Sequence, residues 1–250
     1  MKKTVAGQSP AEIHEVSAAI VEPEEGRDSE IHPFTDKQNE TYRDDIISSD
    51  LNESQKREGN QLLYKSKDIF TDVPAVTCLG KHIIELTSTE PIRGKANVLP
   101  HARREVIDKE LDSIEKLGVI EPSRAAYASP IVIVKKSDGS NRACVDYRKL
   151  NKITIFDPEP SPTAEQIFAK FAGDKYFSKF DLSKGYWQIL MREDQNYTTF
   201  ISHRGLYQFR VMPFGLMNAP ATCSRIMRKL LDNQKGLDNY LDDVLAHTST

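Results

Sequence analysis

KYFSKFDLS (175–183) reads as a β-strand: Tyr176, Phe177 and Phe180 suit a pleated, half-buried surface, and the run ends on a carboxylate, Asp181. NYLDDVLAHT (239–248) sets Asp242 and Asp243 between apolar neighbours and predicts a hairpin carrying the two acids at its bend. Acids gathered at the ends of neighbouring strands repel, and burying them costs roughly several kcal/mol unless a cation neutralises them. Two divalent ions about 3.5–4 Å apart would do so, and such a pair supports in-line phosphoryl transfer. The plain alternative is a solvated turn, the usual setting of an Asp-Asp pair. Phe180, Leu182, Leu241 and Val244 flank the acids and weigh against it, but on spacing alone both readings stand.

Working outward, TTFISHRGLYQFRVM (198–212) reads as a hairpin turning near His203–Gly205, and APATCSRIMRKLL (219–231) as a helix with Pro220 in its first turn. AEQIFAKFA (164–172) supports a short helix. Upstream, two β-rich runs, 131–135 and 142–147, flank Asp138-Gly139, a pair suited to a hairpin turn. In HARREVIDKELDSIEKLG (101–118), Ile107, Leu111, Ile114 and Leu117 share one helical face, and Gly118 is a natural stop. HIIELTS (82–88) predicts a strand closed by Pro91, and a short helix is expected around 50–70. Helices interleave with hairpins rather than parallel crossovers, so the fold class is α+β.

The formal net charge of −3 is unevenly spread. Residues 1–58 hold 7 Lys+Arg against 14 Asp+Glu, and the remainder holds 27 against 23. The leader, without apolar period, predicts a largely disordered or linking segment; the body is mildly basic, which permits phosphate binding without demanding it. The expected division is therefore a leader over 1–58, a connector with a short helix and strand over 59–100, and a main body over 101–250. Cys78, Cys144 and Cys223 lie far apart, with no C-x-x-C pair, which excludes a zinc knuckle and gives no sign of a secreted disulfide scaffold; mostly buried thiols are expected. No apolar run approaches the length of a membrane span, so no membrane partner is expected.

FDLSKGYWQI (180–189), MPFGLMNAPAT (212–222) and YLDDVL (240–245) occur in that order, and together they resemble three motifs of reverse transcriptases. LGVIEPSRAAYASPIVIVKKSDGSNRACVDYRKLN (117–151) resembles the fingers of Ty3/Gypsy-type retrotransposon Pol polyproteins. The resemblance covers roughly residues 60–250 and implies the fingers and palm of a right-hand polymerase, an antiparallel sheet backed by helices. It implies an RNA-directed DNA polymerase that extends a DNA primer on an RNA or DNA template with dNTPs.

Residue by residue, the resemblance assigns Asp181, Asp242 and Asp243 to two magnesium ions, with manganese as a substitute and the Leu182 carbonyl as an extra ligand. Tyr186 matches the steric gate that excludes a 2′-hydroxyl. Lys136 and Arg142 match the triphosphate grip, a role suited to an ammonium and a forked guanidinium. Phe214 and Gly215 match the segment against the incoming nucleotide, where glycine lets backbone come close. Trp187 and Gln188 read as packing and local hydrogen bonding, while Arg204 and Arg210 are candidates for template phosphates. Other Pol and Gag segments are implied partners, in cytoplasmic virus-like particles with access to the nucleus.

Several positions depart from the pattern. Cys223 and Ala143 replace aromatic residues, Met217 a lysine and Leu190 a proline; the first two shrink side chains that pack. The chain ends soon after Asp243, so the thumb is expected to be missing, and a non-catalytic remnant that binds nucleic acid is the competing expectation.

Overall fold

The computed structural model describes residues 15–18, 51–70, 73–96, 101–135, 141–160, 162–232, 234–240 and 243–249. Helix α1 (Glu53–Lys65) begins at a capping box: the Asn52 side chain accepts from the Gln55 amide at 2.9 Å, and the Gln55 side chain accepts from the Asn52 amide at 3.0 Å. The expected helix around 50–70 therefore forms, and it runs across the leader boundary drawn at residue 58. Ahead of it, the leader supplies a strand that its composition did not predict, β1 (Glu15–Ala18).

Of HIIELTS only His82 falls in a strand, the two-residue β2 (Lys81–His82). The rest of that run leaves regular structure because its amides bond elsewhere: Ile84 N donates to the Asp194 carboxylate, and Leu86 makes an isolated bridge to Thr154. Helix α2 (His101–Lys116) ends before Gly118, whose φ of 70° suits a residue without a side chain. Strands β3 (Ile120–Pro122), β4 (Ser129–Lys135) and β5 (Asn141–Val145) follow, with β4 and β5 antiparallel as their turn chemistry predicts.

Helix α3 (Arg148–Ile153) was not legible in the sequence, being too short to show a period. Helix α4 (Ala164–Lys170), β6 (Tyr176–Leu182), β7 (Leu190–Met191), β8 (Phe200–Ser202), β9 (Gly205–Phe209), α5 (Ala219–Leu231), β10 (Leu237–Tyr240) and β11 (Asp243–Thr248) complete the order. Helices and antiparallel hairpins alternate, an α+β fold. Three pairs are nonetheless parallel: β1 with β6, β2 with β7 and β4 with β8.

Two sheets carry the architecture. A five-stranded sheet has the order β3-β9-β8-β4-β5, and a four-stranded one the order β1-β6-β11-β10. The first packs on α2, whose Ile107, Leu111 and Ile114 bury against Ile120, Ile131, Phe200 and Phe209. The second packs on α5: Ala219, Cys223, Ile226 and Met227 meet Leu182, Ile189, Met212 and Val244. Each helix thus buries one apolar stripe against one sheet face, the arrangement that an amphipathic helix requires.

The cysteines do not share one environment. Cys223 is buried, Cys144 is intermediate and Cys78 is exposed, because Cys78 sits in irregular chain ahead of β2 rather than in an element that packs. Among the described residues no helix is long and apolar enough to cross a membrane.

Candidate active site

Alternation along β6 decides which side chains meet. Leu182 and Phe180 face the α5 core, while Asp181 and Lys179 take the opposite face. In the antiparallel ladder Asp243 lies directly across from Asp181, and Val244 across from Phe180, so the two acids share the face turned away from the core. Directly opposed like charges destabilise a sheet. Lys179 offsets this, its ammonium 3.2 Å from an Asp243 oxygen. Tyr240 pairs with Asp243 across β10 and β11, as the predicted hairpin requires. Leu241 and Asp242 lie outside the described residues, as does Lys136.

Two carboxylates meeting on one face offer the hard oxygen donors that suit a divalent cation. Among the described residues no group of three or more His, Cys, Asp and Glu gathers as a metal site; Asp242 is not one of them.

Beyond β6 the chain turns at Lys184, whose φ of 49° and ψ of 45° are left-handed, into a 3₁₀ turn over Gly185–Gln188. Gln188 is fully buried and donates from Nε2 to the Ser183 carbonyl at 3.0 Å, which closes the turn on itself. The reading of Gln188 as a local hydrogen-bonding residue therefore holds. This turn presents Tyr186 to Phe214: the rings stack with centroids 5.1 Å apart at 25°. The Arg142 guanidinium lies 5.1 Å over the Phe214 ring, so Arg142, Phe214 and Tyr186 join into one stack from three distant segments.

Gly215 has a φ of 93°, a conformation that costs a side-chain-bearing residue dearly. A Cβ there would meet Tyr147 at 3.6 Å and the Val145 carbonyl at 3.8 Å, both ordinary contacts, so backbone conformation rather than space requires the glycine. The loop is held by Asn151, which donates from Nδ2 to the Gly215 carbonyl at 2.8 Å and accepts the Met217 amide on Oδ1 at 3.0 Å. Asn218 ties the next residues similarly, donating to the Ile155 carbonyl at 2.7 Å and accepting the Asp157 amide at 3.1 Å. Sequence reasoning missed both asparagines. The signal was a side-chain amide closing each of two motifs, DYRKLN and GLMN.

Arg204 and Arg210 are engaged within the protein: Arg204 with Asp112 at 2.5 Å and Glu115 at 3.6 Å, and Arg210 with Glu121 at 3.8 Å. Hydrogen bonding to Asp112 raises the Arg204 pKa further. At the end of β5, hydrogen bonding from the Arg148 guanidinium holds Asp146 below the usual carboxylate range.

The profile of the family described as reverse transcriptase (RNA-dependent DNA polymerase) matches residues 133–250. The chain is 36% identical over 178 residues to the Retrovirus-related Pol polyprotein from transposon 297 of Drosophila melanogaster, covering 68% of this chain and 17% of that protein. It is 34% identical over 173 residues to the Transposon Tf2-3 polyprotein of Schizosaccharomyces pombe, covering 67% of this chain and 13% of that one. The chain therefore spans under a fifth of these relatives' length. Among solved structures, the foamy viral protease-reverse transcriptase in complex with an RNA/DNA hybrid superposes with a TM-score of 0.72 at 26% identity, over 80% of this chain and 28% of that one.

Proposed function

We propose that this chain, which belongs to the reverse transcriptases of Ty3/Gypsy-type retrotransposon Pol polyproteins, adds deoxynucleotides to a primer 3′-hydroxyl on an RNA or DNA template. The observation that carries the proposal is the register of β6 and β11, which sets Asp181 and Asp243 opposite each other on the face away from the core. The Tyr186–Phe214–Arg142 stack follows Asp181 by one short turn.

Reverse transcriptases of this family use divalent metal ions. Asp181, Asp242 and Asp243, with the Leu182 carbonyl, would hold magnesium here; manganese is an alternative of the same hard character. Bound there, two such ions would supply Lewis-acid stabilisation of charge on the attacking and leaving oxygens. The protein's own residues do the rest. Arg142 carries a permanently charged fork suited to phosphate oxygens, and it lies over Phe214 until phosphate draws it off. Lys136 is its proposed partner in that grip. Tyr186, braced on Phe214, forms the floor under the sugar and leaves no room for a 2′-hydroxyl. Gly215 lets backbone reach the base pair. The similar foamy viral enzyme is described with an RNA/DNA hybrid, which supports such a duplex as the partner here.

Primer extension on poly(rA)/oligo(dT) with Mg²⁺ tests the reading, comparing the parent chain with Asp243→Asn. Extension by the parent alone is expected. Equal extension by both would remove Asp243 from the site. Extension by neither, with the hybrid still bound, would replace polymerisation with nucleic-acid binding.

A further inference from the structure

We infer that the leader strand β1 positions Asp181, by pairing along the outer edge of β6 and making the carboxylate-bearing strand an interior strand of its sheet. The inference rests on the metal site proposed above, to which Asp181 belongs. β1 runs parallel to β6, with Glu15 across from Lys179, Val16 from Phe180, Ser17 from Asp181 and Ala18 from Leu182. On its other side β6 pairs antiparallel with β11, Asp181 across from Asp243. The backbone at Asp181 is therefore flanked by a strand on each side, and in the order β1-β6-β11-β10 it is β1 that keeps β6 from being the edge. Residues 15–18 lie far ahead of the span 133–250 that matches the family, so this brace comes from a part of the chain outside that match.

The need for a brace comes from the site itself. Asp181 and Asp243 are like charges directly opposed across a ladder, which works against the β6–β11 pairing where the acids stand. β6 ends one residue later, at Leu182, and the chain then turns through Lys184 in a left-handed conformation. A strand end with one unpaired side is where local opening is easiest, and a repulsive pair beside it makes opening easier still. β1 covers that side over the last four residues of β6, Lys179–Leu182. A carboxylate that binds a metal has to be held to within about 0.5 Å of its productive place, and such precision comes from supported elements rather than frayed ones. The occupant of the edge is the chain's own segment rather than a second copy's, because an intramolecular partner acts at an effective concentration on the order of millimolar.

Val16→Pro/Ser17→Pro in the full chain tests the inference. Proline has no N–H, and neighbouring residues of a strand turn theirs to opposite sides, so one of the two changes removes a bond to β6. Hydrogen exchange is expected to quicken about ten-fold or more at the amides of Lys179–Leu182 turned away from β11, and to stay unchanged in α2. Mn²⁺ binding, read from loss of the free ion's electron paramagnetic resonance, is expected to weaken by about ten-fold. The half-saturating Mg²⁺ for primer extension should rise by the same factor, with the rate at saturating Mg²⁺ close to the parent's. Val16→Thr/Ser17→Ala keeps both amides and should match the parent in all three. Unchanged exchange at β6 would overturn the pairing. Faster exchange with an unchanged Mn²⁺ midpoint would overturn the positioning role and leave β1 a mere cover. An exchange difference that varies with protein concentration would hand the edge to a second copy's strand and overturn the intramolecular brace. Loss of the pairing with no Mn²⁺ bound even by the parent would remove the metal site itself and the role at Asp181 with it, an outcome distinct from failure of the pairing.

Discussion

Asp181 and Asp243 stand directly opposite each other in the β6–β11 ladder, and the Lys179 ammonium approaches Asp243 to 3.2 Å. Three charges on one sheet face, two of them alike, make a poor stabilising arrangement and a good cation site. Asp243→Asn should therefore abolish primer extension, by on the order of a thousand-fold or more, while leaving the fold almost untouched. It loses a partly exposed ion pair and relieves a repulsion, two effects of under about 1 kcal/mol each and of opposite sign. Urea unfolding run beside the extension assay separates the two; lost activity together with a large stability loss would mean that Asp243 is structural.

Tyr186 stacks on Phe214 with centroids 5.1 Å apart, which makes its ring a braced surface rather than a loose one. Tyr186→Ala should raise ribonucleotide insertion relative to deoxyribonucleotide insertion by about ten-fold or more, by removing the proposed floor under the sugar. The same change loses an aromatic pair contributing about 0.5–1.5 kcal/mol. Competitive incorporation of rATP against dATP on one template is the measurement. Unchanged discrimination would return Tyr186 to the packing role.

Asn151 satisfies two backbone groups of the Gly215 loop at once, with donor and acceptor on opposite arms of its amide. Asn151→Ala should destabilise the chain by about 1–3 kcal/mol and raise the KM for dNTP, since the loop then loses both ties. Asn151→Asp keeps the acceptor for the Met217 amide but sets a carboxylate against the Gly215 carbonyl, so it should be no better. Recovery of KM by Asp would show that the Met217 bond alone positions the loop.

Two histidines held by polar partners, His82 and His247, act on stability with opposite sign in pH. His82 bonds to the Thr222 hydroxyl at 2.8 Å, and burial holds its pKa at about 4, below the ordinary 6.5. The unfolded chain therefore takes up a proton first as pH falls. Stability present above 6.5 is lost on the way down to about 4, by on the order of 3 kcal/mol. His247 lies between Asp174 at 2.5 Å and Asp238 at 3.1 Å, and these hydrogen bonds, that to Asp174 foremost, raise its pKa. Its contribution is complete below 6.5 and disappears as pH rises through the raised value. Urea midpoints followed across this range should flatten on the acid side in His82→Gln and on the alkaline side in His247→Gln. A variant with the parent's slope would show that its histidine is not the group that titrates.

Much of this was legible beforehand. α2 announced itself through Ile107, Leu111 and Ile114, α5 through Pro220 and its apolar stripe, and β6 through aromatic residues leading to Asp181, because local period and turn chemistry are written residue by residue. HIIELTS misled because its β-rich composition says nothing of where its amides find acceptors; a distant carboxylate, Asp194, claimed the Ile84 amide. Asn151 and Asn218 were passed over for a similar reason, since an amide that ties two loops has no period of its own.

The sequence by itself determined which residues form helices and hairpins, and through motif order it determined the family, for these depend on neighbours along the chain. Only the tertiary structure decided that Arg142, Tyr186 and Phe214 share one stack, that Asp181 faces Asp243, and that Asn151 ties the Gly215 loop. These are contacts between segments far apart in sequence, set by ladder register and by the packing of two helices on two sheets, and no local signal carries them.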